Sequence, residues 1–288
     1  LGGGSPLGLA KAVAHTLTGR RAVAGQPATP FIAIPTTYAG SERTASYGGT
    51  CMNPACEPVK VTVNDPRAAA RLVIYDPELT LDLPPDLTAS TGINALAHCI
   101  EALYSITRYP LSSAAALAGL RAIASALPRC YAAPGDLAAR SELLAGAHLA
   151  GASLAGVSMA LHHGLCHVLG GTAGVPHGIA NSIILPHAMR FNAEALVPAP
   201  PAETWRQLAA GALGLPPAGA VESARAAADH VERLIGGLNL PQQLRLAGVR
   251  EADLPRLAEL AFASRTVQNN PKPIPNAAAL EALLRAAW

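Results

Sequence analysis

Residues 158 to 192 read SMALHHGLCHVLGGTAGVPHGIANSIILPHAMRFN and hold five of the nine histidines in the chain. His163 and His167 are four residues apart, so on a helix they project from one face. Glycine accepts the left-handed backbone of a helix C-terminus, so Gly170-Gly171 predicts that this helix ends there. After a short loop, a second apolar segment begins at His177. Two helices joined in this way can direct His163, His167 and His177 into one cleft.

A second stretch, residues 91 to 104, reads TGINALAHCIEALY and repeats the same spacing. Asn94 and His98 are four residues apart on a predicted helix, which places them on one face. If this helix crosses the first, these two side chains join His163 and His177 around one point. Because the spacings agree with each other, we favour a shared site over separate core histidines. We interpret four other histidines as core residues: His148, His162, His187 and His230.

Composition limits the classes of protein that fit. A chain of 288 residues is long enough for two domains or one large one. Half of the residues are hydrophobic and 14% are charged, which indicates a globular rather than a disordered protein. The formal net charge is +2, and no basic cluster stands out, so we predict no nucleic-acid partner.

The cysteines and one long uncharged segment bear on location. Five cysteines are present, an odd number without a C-x-x-C pair, which is typical of reduced thiols in the cytoplasm rather than a disulfide framework or a zinc ribbon. Residues 143 to 161 carry no charge over a length that could span a bilayer. Their Ala, Gly and Ser content, with His148 among them, favours a buried helix, so we predict a cytoplasmic protein without a membrane partner.

The chain opens with LGGGSPLGLAKAVAHTLTG, a glycine turn followed by a helical pattern. Glycines let the backbone approach a diphosphate, and the helix N-terminus offers free N–H groups to it. Such a loop usually follows a strand, whereas this sequence begins at Leu1. We therefore expect the chain to be a fragment that lacks an N-terminal part of a nucleotide domain.

Strand patterns are confined to the first part of the chain. Residues 31 to 34 form a short apolar run, and residues 59 to 63 and 72 to 76 predict two more strands. The first strand ends in a hydroxyl-rich loop at the edge where open α/β sheets bind ligands. That loop contains Thr36, Thr37, Tyr38, Gly40 and Ser41. The order of helix and strand through residue 76 predicts the second half of a doubly wound nucleotide domain.

After residue 83 the patterns are helical. We predict helices over residues 88–104, 112–127, 137–161, 177–195, 203–213, 219–236, 253–264 and 277–287. Asp136 and Asn276 are suitable N-caps. The predicted fold class is therefore α/β plus all-α. Residues 1–83 would be the C-terminal part of a dinucleotide-binding domain, and residues 84–288 an all-helical catalytic domain.

Six motifs together carry a resemblance to a known family. In chain order they are GGGS, PTTYAGSE, GINALAHCIEALY, LHHGLCHVLGG, PHGIANSIILPH and NPKPI. The sequence resembles the iron-containing alcohol dehydrogenase superfamily over residues 1 to 288, and within it the maleylacetate reductases most. This resemblance implies a nucleotide domain, a helical domain and an active site between them. It also implies that roughly 80 to 90 residues of a full-length relative precede Leu1, the size of a nucleotide half-domain.

The resemblance also assigns residues to the cofactor, NADH or NADPH. It places the diphosphate at Gly3, Gly4 and Ser5. Further cofactor contacts would come from Thr36, Thr37, Ser41 and Lys60. His167 matches a histidine beside the nicotinamide.

Metal-dependent members hold iron or zinc with an Asp-x-x-x-His pair and two more histidines. The matching positions are Asn94, His98, His163 and His177. A neutral amide at Asn94 does not offset the charge of a divalent cation, so bound metal stays uncertain, held by His98, His163 and His177 if any is present. The asparagine at position 94 is a further point of resemblance to the maleylacetate reductases.

The resemblance implies reduction of the C=C bond of maleylacetate to 3-oxoadipate. We assign proton donation or stabilisation of the enolate to His167 or His163, with His98 and His177 polarising the pocket and Asn94 bonding the substrate. Partners for the substrate carboxylates would be Tyr38, Arg43 and Lys272. We predict a small dicarboxylate as substrate and a homodimer as the assembly.

Two alternatives stay open. The first is a metal-dependent alcohol or polyol dehydrogenase of the same superfamily, which shares nearly every motif. The second is an inactive fragment that acts only as an interaction module, because a nucleotide domain without half of its sheet leaves an apolar edge exposed. The sequence does not decide between NADH and NADPH, or between chloro-substituted and plain substrate.

Overall fold

The computed structural model describes residues 1–25, 27–51, 59–193 and 202–288. Its strands lie in the first quarter of the chain. Strand β1 (Ile32–Ala33) pairs in parallel with β4 (Leu72–Val73). Strands β2 (Ser46–Cys51) and β3 (Val59–Asn64) form an antiparallel pair. Because β1 and β4 are parallel, their carboxyl ends meet at one edge.

The glycine turn lies at that same edge. Helix α1 (Gly4–Val23) begins directly after it. The backbone N–H of Gly2 donates to the Ile34 carbonyl at 3.0 Å, and the N–H of Thr36 donates to the Gly2 carbonyl at 3.1 Å. These two bonds join the start of α1 to the loop that follows β1.

The rest of the described chain is helical. The longer helices are α2 (Pro85–Tyr104), α3 (Pro110–Ala132), α4 (Leu137–Ala155), α5 (Leu161–Thr172) and α6 (His177–Ala193). They are followed by α7 (Ala202–Arg206) with a π-helical continuation (Gln207–Ala212), α8 (Ala220–Gly236), α9 (Leu254–Phe262), α10 (Arg265–Gln268) and α11 (Ala277–Ala286). The predicted fold class, a partial α/β domain plus a helical domain, is confirmed.

Local signals explain most helix ends. The side chain of Asp136 accepts from the Ala139 N–H at 2.9 Å at the start of α4. Asn276 accepts from the Ala279 N–H at 3.1 Å at the start of α11. Both N-caps were predicted. The carboxylate and the amide oxygen each satisfy one free N–H of the first turn, which fixes the start of the helix.

Several element boundaries differ from the prediction, among them the end of α3, which continues through Pro128 to Ala132 rather than ending at residue 127, and one strand was not predicted. Helix α4 ends at Ala155 rather than residue 161, with Gly156 as its C-cap. Helix α5 continues through Gly170-Gly171 to Thr172, and the left-handed residue is Gly174, at φ 70°. Strand β2 was not predicted, because the two glycines in SYGGTC lower its strand propensity.

Two hydrophobic cores organise the helices. The first core lies among α2, α3 and α4 and includes Ile93, Leu120 and Leu143. The second core lies among α5, α6, α9 and α11 and includes Leu165 and Leu257. Burial of each such leucine or isoleucine contributes about 1.5–3 kcal/mol. The facing side chains of α2, α5 and α6 therefore lie where the two cores meet.

Helix α3 is the one described helix that is long and apolar enough to cross a membrane by length and composition. In the fold it packs between α2 and α4 through Leu120, Ile123 and Leu127, all fully buried. The apolar side chains of α3 therefore pack in the first core. Of the segment 143–161, predicted as one buried helix, residues 143–155 lie in α4, where Leu143, Ala147 and Ala150 are buried.

Candidate active site

Four histidine rings from three helices converge. His98 lies on α2, His163 and His167 on α5, and His177 begins α6. The His163 ring is central: ring centroids are 4.7 Å away for His98, 5.9 Å for His177 and 6.3 Å for His167. The rings of His167 and His177 are 5.8 Å apart. We refer to these four rings as the histidine cluster.

The cluster extends from the core to the surface. His98 and His163 are buried, at 5% and 3% exposure, whereas His167 and His177 are exposed. Burial, helped by the neighbouring imidazoles, holds the pKa of His98 and His163 well below the ordinary value for histidine. Both buried rings are therefore neutral at pH 7, and each keeps a nitrogen lone pair.

Asn94 lies one turn before His98 on the same face of α2. Its amide nitrogen donates to the Ala39 carbonyl at 3.3 Å, which ties α2 to the loop after β1. Its Oδ1 is buried and, among the described residues, has no hydrogen-bond partner; the same holds for His98 Nδ1 and His163 Nε2. A buried polar atom without a partner costs about 1–3 kcal/mol. Three such atoms on facing helices indicate a binding site rather than ordinary core.

Glu101 supports the cluster from behind. It lies three residues after His98 on α2 and has no solvent exposure. Its Oε1 accepts from the backbone N–H of Ala160 at 3.0 Å and of His162 at 3.1 Å, and its Oε2 is 2.5 Å from His163 Nδ1. Burial raises the pKa of the Glu101 carboxyl, and its interactions with the start of α5 act against that rise.

Glu101 was not predicted as a site residue from the sequence. The available signal was a carboxylate in an apolar helix, one turn past a histidine, since charged residues are almost never fully buried without a partner. The partner atoms are mostly backbone N–H groups about 60 residues further along the chain, and sequence spacing does not report them.

His162 has a structural environment. Its Nδ1 is 3.2 Å from His163 Nδ1, and its Nε2 is 3.2 Å from the Asn181 carbonyl oxygen. Burial lowers the pKa of His162 to about 3. Glu101, His162 and His163 also place three potential ligand atoms within 4.8 Å of one another. Because the hydrogen bonds among the three groups already occupy these atoms, we interpret the trio as the support of His163.

The glycine turn faces the loop that follows β1. A Cβ on Gly3 would lie 2.8 Å from the Thr37 methyl group, so only glycine permits this approach. Gly4 and Ser5 form the first turn of α1, whose N-terminal N–H groups are open to an anion. The next residue of the loop, Tyr38, donates its N–H to the Thr91 hydroxyl at 3.3 Å on α2. The loop thus connects the glycine turn to the helix that carries Asn94 and His98.

The other predicted cofactor contacts have different surroundings. Thr36 and Thr37 are half-buried beside the glycine turn. Ser41 is half-buried too, and its carbonyl accepts from the buried Lys11 ammonium at 2.5 Å. Burial lowers the pKa of Lys11 to about 8. Lys60 lies in β3, and its side chain is outside the described part of the structure.

Two of the predicted substrate contacts lie away from the cluster. Tyr38 is fully buried, and its hydroxyl donates to Thr80 at 3.0 Å and accepts from Arg140 at 2.8 Å. The Lys272 ammonium lies 4.3 Å from the centroid of the Phe191 ring. Phe191 is fourteen residues beyond His177 on α6, about 21 Å along the helix axis.

Arg43 lines a separate cleft of about 620 Å³ between β4 and α4, together with Arg71, Tyr75, Ser141 and His148. No member of the histidine cluster lines this cleft. The described structure therefore brings together Asn94, His98, His163, His167 and His177, and it places Tyr38, Arg43 and Lys272 elsewhere.

Comparisons with known proteins identify the family of the chain. Residues 1–77 match the model described as iron-containing alcohol dehydrogenase, and residues 88–288 match the Fe-containing alcohol dehydrogenase family, C-terminal. The chain is 41% identical over 286 residues to a maleylacetate reductase from Pseudomonas sp. (strain P51), covering 99% of this chain and 72% of the relative.

Solved structures give the same family. A maleylacetate reductase from Rhizobium sp. strain MTP-10005 superposes with a TM-score of 0.83 at 37% identity, over 100% of this chain and 72% of that chain. A 1,3-propanediol oxidoreductase superposes with a TM-score of 0.85 at 29% identity, over 100% of this chain and 75% of that chain. The chain therefore belongs to the iron-containing alcohol dehydrogenase family and is an oxidoreductase.

Proposed function

We propose that this protein reduces the C=C bond of maleylacetate with NADH or NADPH and forms 3-oxoadipate. The relatives at about 40% identity that carry the name maleylacetate reductase support this substrate. The observation that carries the proposal is Asn94 beside the histidine cluster, at the position where the resemblance gives metal-dependent members a carboxylate. A neutral amide does not offset the charge of a cation as a carboxylate would, and the Asn94 NH₂ group, which gives one N–H to the Ala39 carbonyl, has a second N–H that can donate to a substrate oxygen.

The glycine turn is the proposed seat of the cofactor diphosphate. The close approach of Gly3 to Thr37 and the N-terminus of α1 both support that placement. We assign Gly3, Gly4, Ser5, Thr36, Thr37 and Ser41 to the cofactor, with Lys60 as a further candidate. The nicotinamide supplies a hydride when bound, and the chain positions the acceptor carbon next to it.

The chemistry assigned to the cluster is stabilisation of charge and transfer of one proton. Addition of hydride to the alkene carbon beta to the ketone leaves negative charge on the ketone oxygen, and one proton then completes the saturated product. Hydrogen-bond donors aimed at that oxygen stabilise the enolate. His167 is exposed and 6.3 Å from His163, so it can exchange protons with water and donate at the site.

A divalent cation, which the family name implies, has a matching set of donor atoms. His163 Nε2 and Asn94 Oδ1 are buried without a partner among the described residues, and the rings of His98 and His177 lie within 6 Å of His163. His98, His163 and His177 would hold the ion with help from Asn94. It would supply Lewis-acid polarisation of the ketone oxygen.

The same donor set favours one second candidate, a metal-dependent alcohol or polyol dehydrogenase. Two assays distinguish the two candidate functions. The first measures consumption of NADH or NADPH with maleylacetate in the presence of a chelator. The second measures oxidation of short alcohols with added Fe²⁺ or Zn²⁺. Turnover of maleylacetate under chelation supports the proposal. Alcohol oxidation that needs added metal, without maleylacetate turnover, replaces it.

The interaction-module alternative has its own test, which is titration of the chain with NADH and NADPH by fluorescence. Saturable binding removes this alternative, and the tighter of the two cofactors identifies the preference. A chain that binds neither cofactor would contradict the proposed reduction of maleylacetate. Cytoplasmic location, a homodimer and the lack of nucleic-acid and membrane partners stay predictions.

A further inference from the structure

Glu101 requires an explanation, because a fully buried carboxylate is costly unless it is hydrogen-bonded. It lies on α2 in the first core, within a helix whose residues from Gly92 to Tyr104 are all buried. Three atoms at the start of α5, in the adjoining second core, hydrogen-bond to its carboxylate: the N–H groups of Ala160 and His162 and the Nδ1 of His163. The side chain therefore bridges the two helices that carry the buried half of the histidine cluster.

One oxygen of Glu101 acts as a helix cap. Helix α5 begins after Ala160, whose own side chain offers no cap. Oε1 accepts from the N–H groups of Ala160 and His162, which would otherwise be free donors at a buried helix start. Negative charge here also interacts favourably with the positive end of the helix dipole.

The other oxygen holds the ring of His163. Oε2 lies 2.5 Å from Nδ1, and the ring stacks on His98 with 17° between the planes. With Nδ1 engaged by Glu101, the atom that remains for the site is Nε2, which is buried without a partner among the described residues. The orientation of this ring is thus fixed from the side opposite the site.

We propose that Glu101 is the positioning residue of the site, accepting the Nδ1–H of His163 so that the Nε2 lone pair faces the cluster. This assignment deepens the proposed function, on which its kinetic consequences rest, and it divides the roles of two histidines. His163 presents an acceptor or ligand atom, and proton donation falls to the exposed His167.

The substitution Glu101→Gln separates positioning from folding. The glutamine carbonyl can still accept from Ala160 and His162, so the cap on α5 is kept. Its NH₂ group faces Nδ1 and requires a lone pair there, which moves the ring proton to Nε2. We expect turnover to fall about 10- to 100-fold, the usual effect of losing a group that orients a functional histidine, with KM for NADH or NADPH changed less than about twofold.

Two further measurements accompany the kinetics. Asp136→Asn is the matched control, because it makes the same chemical change at the start of α4 and leaves α5 untouched; its turnover should equal that of wild type. Nitrogen-15 NMR of histidine-labelled protein reads the tautomer directly, with the His163 signals identified by their loss in His163→Gln. We expect Nδ1–H in wild type and Nε2–H in Glu101→Gln.

Each outcome decides the proposal. Wild-type protein with the proton of His163 on Nε2 overturns it, and so does Glu101→Gln with unchanged turnover and a folded NMR spectrum. If Glu101→Gln does not fold, the wild-type tautomer alone decides. If wild type does not act on maleylacetate, the proposed function fails, whereas the tautomer measurement still tests Glu101 separately.

Discussion

The two halves of the histidine cluster differ in what surrounds them. His98 and His163 are buried, stacked, and backed by Asn94 and Glu101. His167 and His177 also stack, at 5.8 Å and 21°, but their rings are exposed. The buried half can hold an atom in a fixed place, because its rings are locked by packing. The exposed half can exchange protons with water. A site that must both orient a substrate and supply a proton needs both environments.

The largest expected effect tests the exposed half. His167→Ala should lower turnover by about 100-fold or more, the scale of a lost general acid. Its stability should change by less than about 0.5 kcal/mol, as for other exposed positions. Steady-state kinetics and urea unfolding measure the two quantities. His230→Ala, on α8 and outside the cluster, is the control and should keep wild-type turnover. Near-normal turnover of His167→Ala would remove this residue from the mechanism.

The buried half should reveal itself through pH. The pKa of His162 beside it is lowered to about 3 in the folded chain, against an ordinary 6.5, and those of His98 and His163 are lowered as well. Below pH 6.5 the unfolded chain therefore binds protons that the folded chain does not. The free energy of unfolding should fall as pH drops, by up to about 1.4 kcal/mol per pH unit for each buried histidine. The raised pKa of Glu101 has the opposite sign and offsets part of the loss.

Urea unfolding at about pH 7, 6 and 5 measures this slope. His162→Gln should flatten it, because one of the buried bases is removed. His167→Ala serves as the exposed counterpart and should keep the wild-type slope. Stability that does not change from pH 7 to pH 5 in wild type would show that the buried rings titrate normally, which would contradict the division of the cluster into two environments.

Metal affinity sharpens the same comparison. Asn94→Asp adds a carboxylate next to His98 and His163, where a low-dielectric environment strengthens attraction to a cation. We expect Zn²⁺ to bind about tenfold more tightly than to wild type, as measured by calorimetry. The same substitution combined with His98→Ala should lose the gain. Equal affinity of wild type and Asn94→Asp would mean that Asn94 does not face the bound ion.

Parts of this molecule were predictable because their causes are local. The caps Asp136 and Asn276 act on N–H groups three residues away, and the spacing of Asn94 with His98 and of His163 with His167 follows from the helix period. That the two pairs meet in one site was expected from their matching spacing and from the resemblance to the iron-containing alcohol dehydrogenases. Local sequence did not report that α5 ends at Thr172, because Gly170 and Gly171 remain helical and the left-handed glycine is Gly174, in the loop that follows.

Other parts depend on contacts between distant residues. Glu101 meets His163 62 positions further along the chain, and Tyr38 meets Arg140 102 positions further along. A tyrosine in a hydroxyl-rich loop after a strand has the composition of a ligand contact. The Tyr38 hydroxyl instead points into the core, where it accepts a hydrogen bond from the buried Arg140 guanidinium. The proposed substrate contacts therefore exclude Tyr38.

The smallest expected effect tests that exclusion. Tyr38→Phe removes a hydroxyl that bonds Thr80 and Arg140, and Arg140 keeps the Pro134 carbonyl at 2.6 Å as an acceptor. We expect a loss of about 1 kcal/mol in the free energy of unfolding, the typical value for one buried hydrogen bond. Turnover and KM for maleylacetate should stay within about twofold of wild type. A large rise in KM for maleylacetate with unchanged stability would show that Tyr38 contacts the substrate. The site would then include the loop after β1, beside the glycine turn.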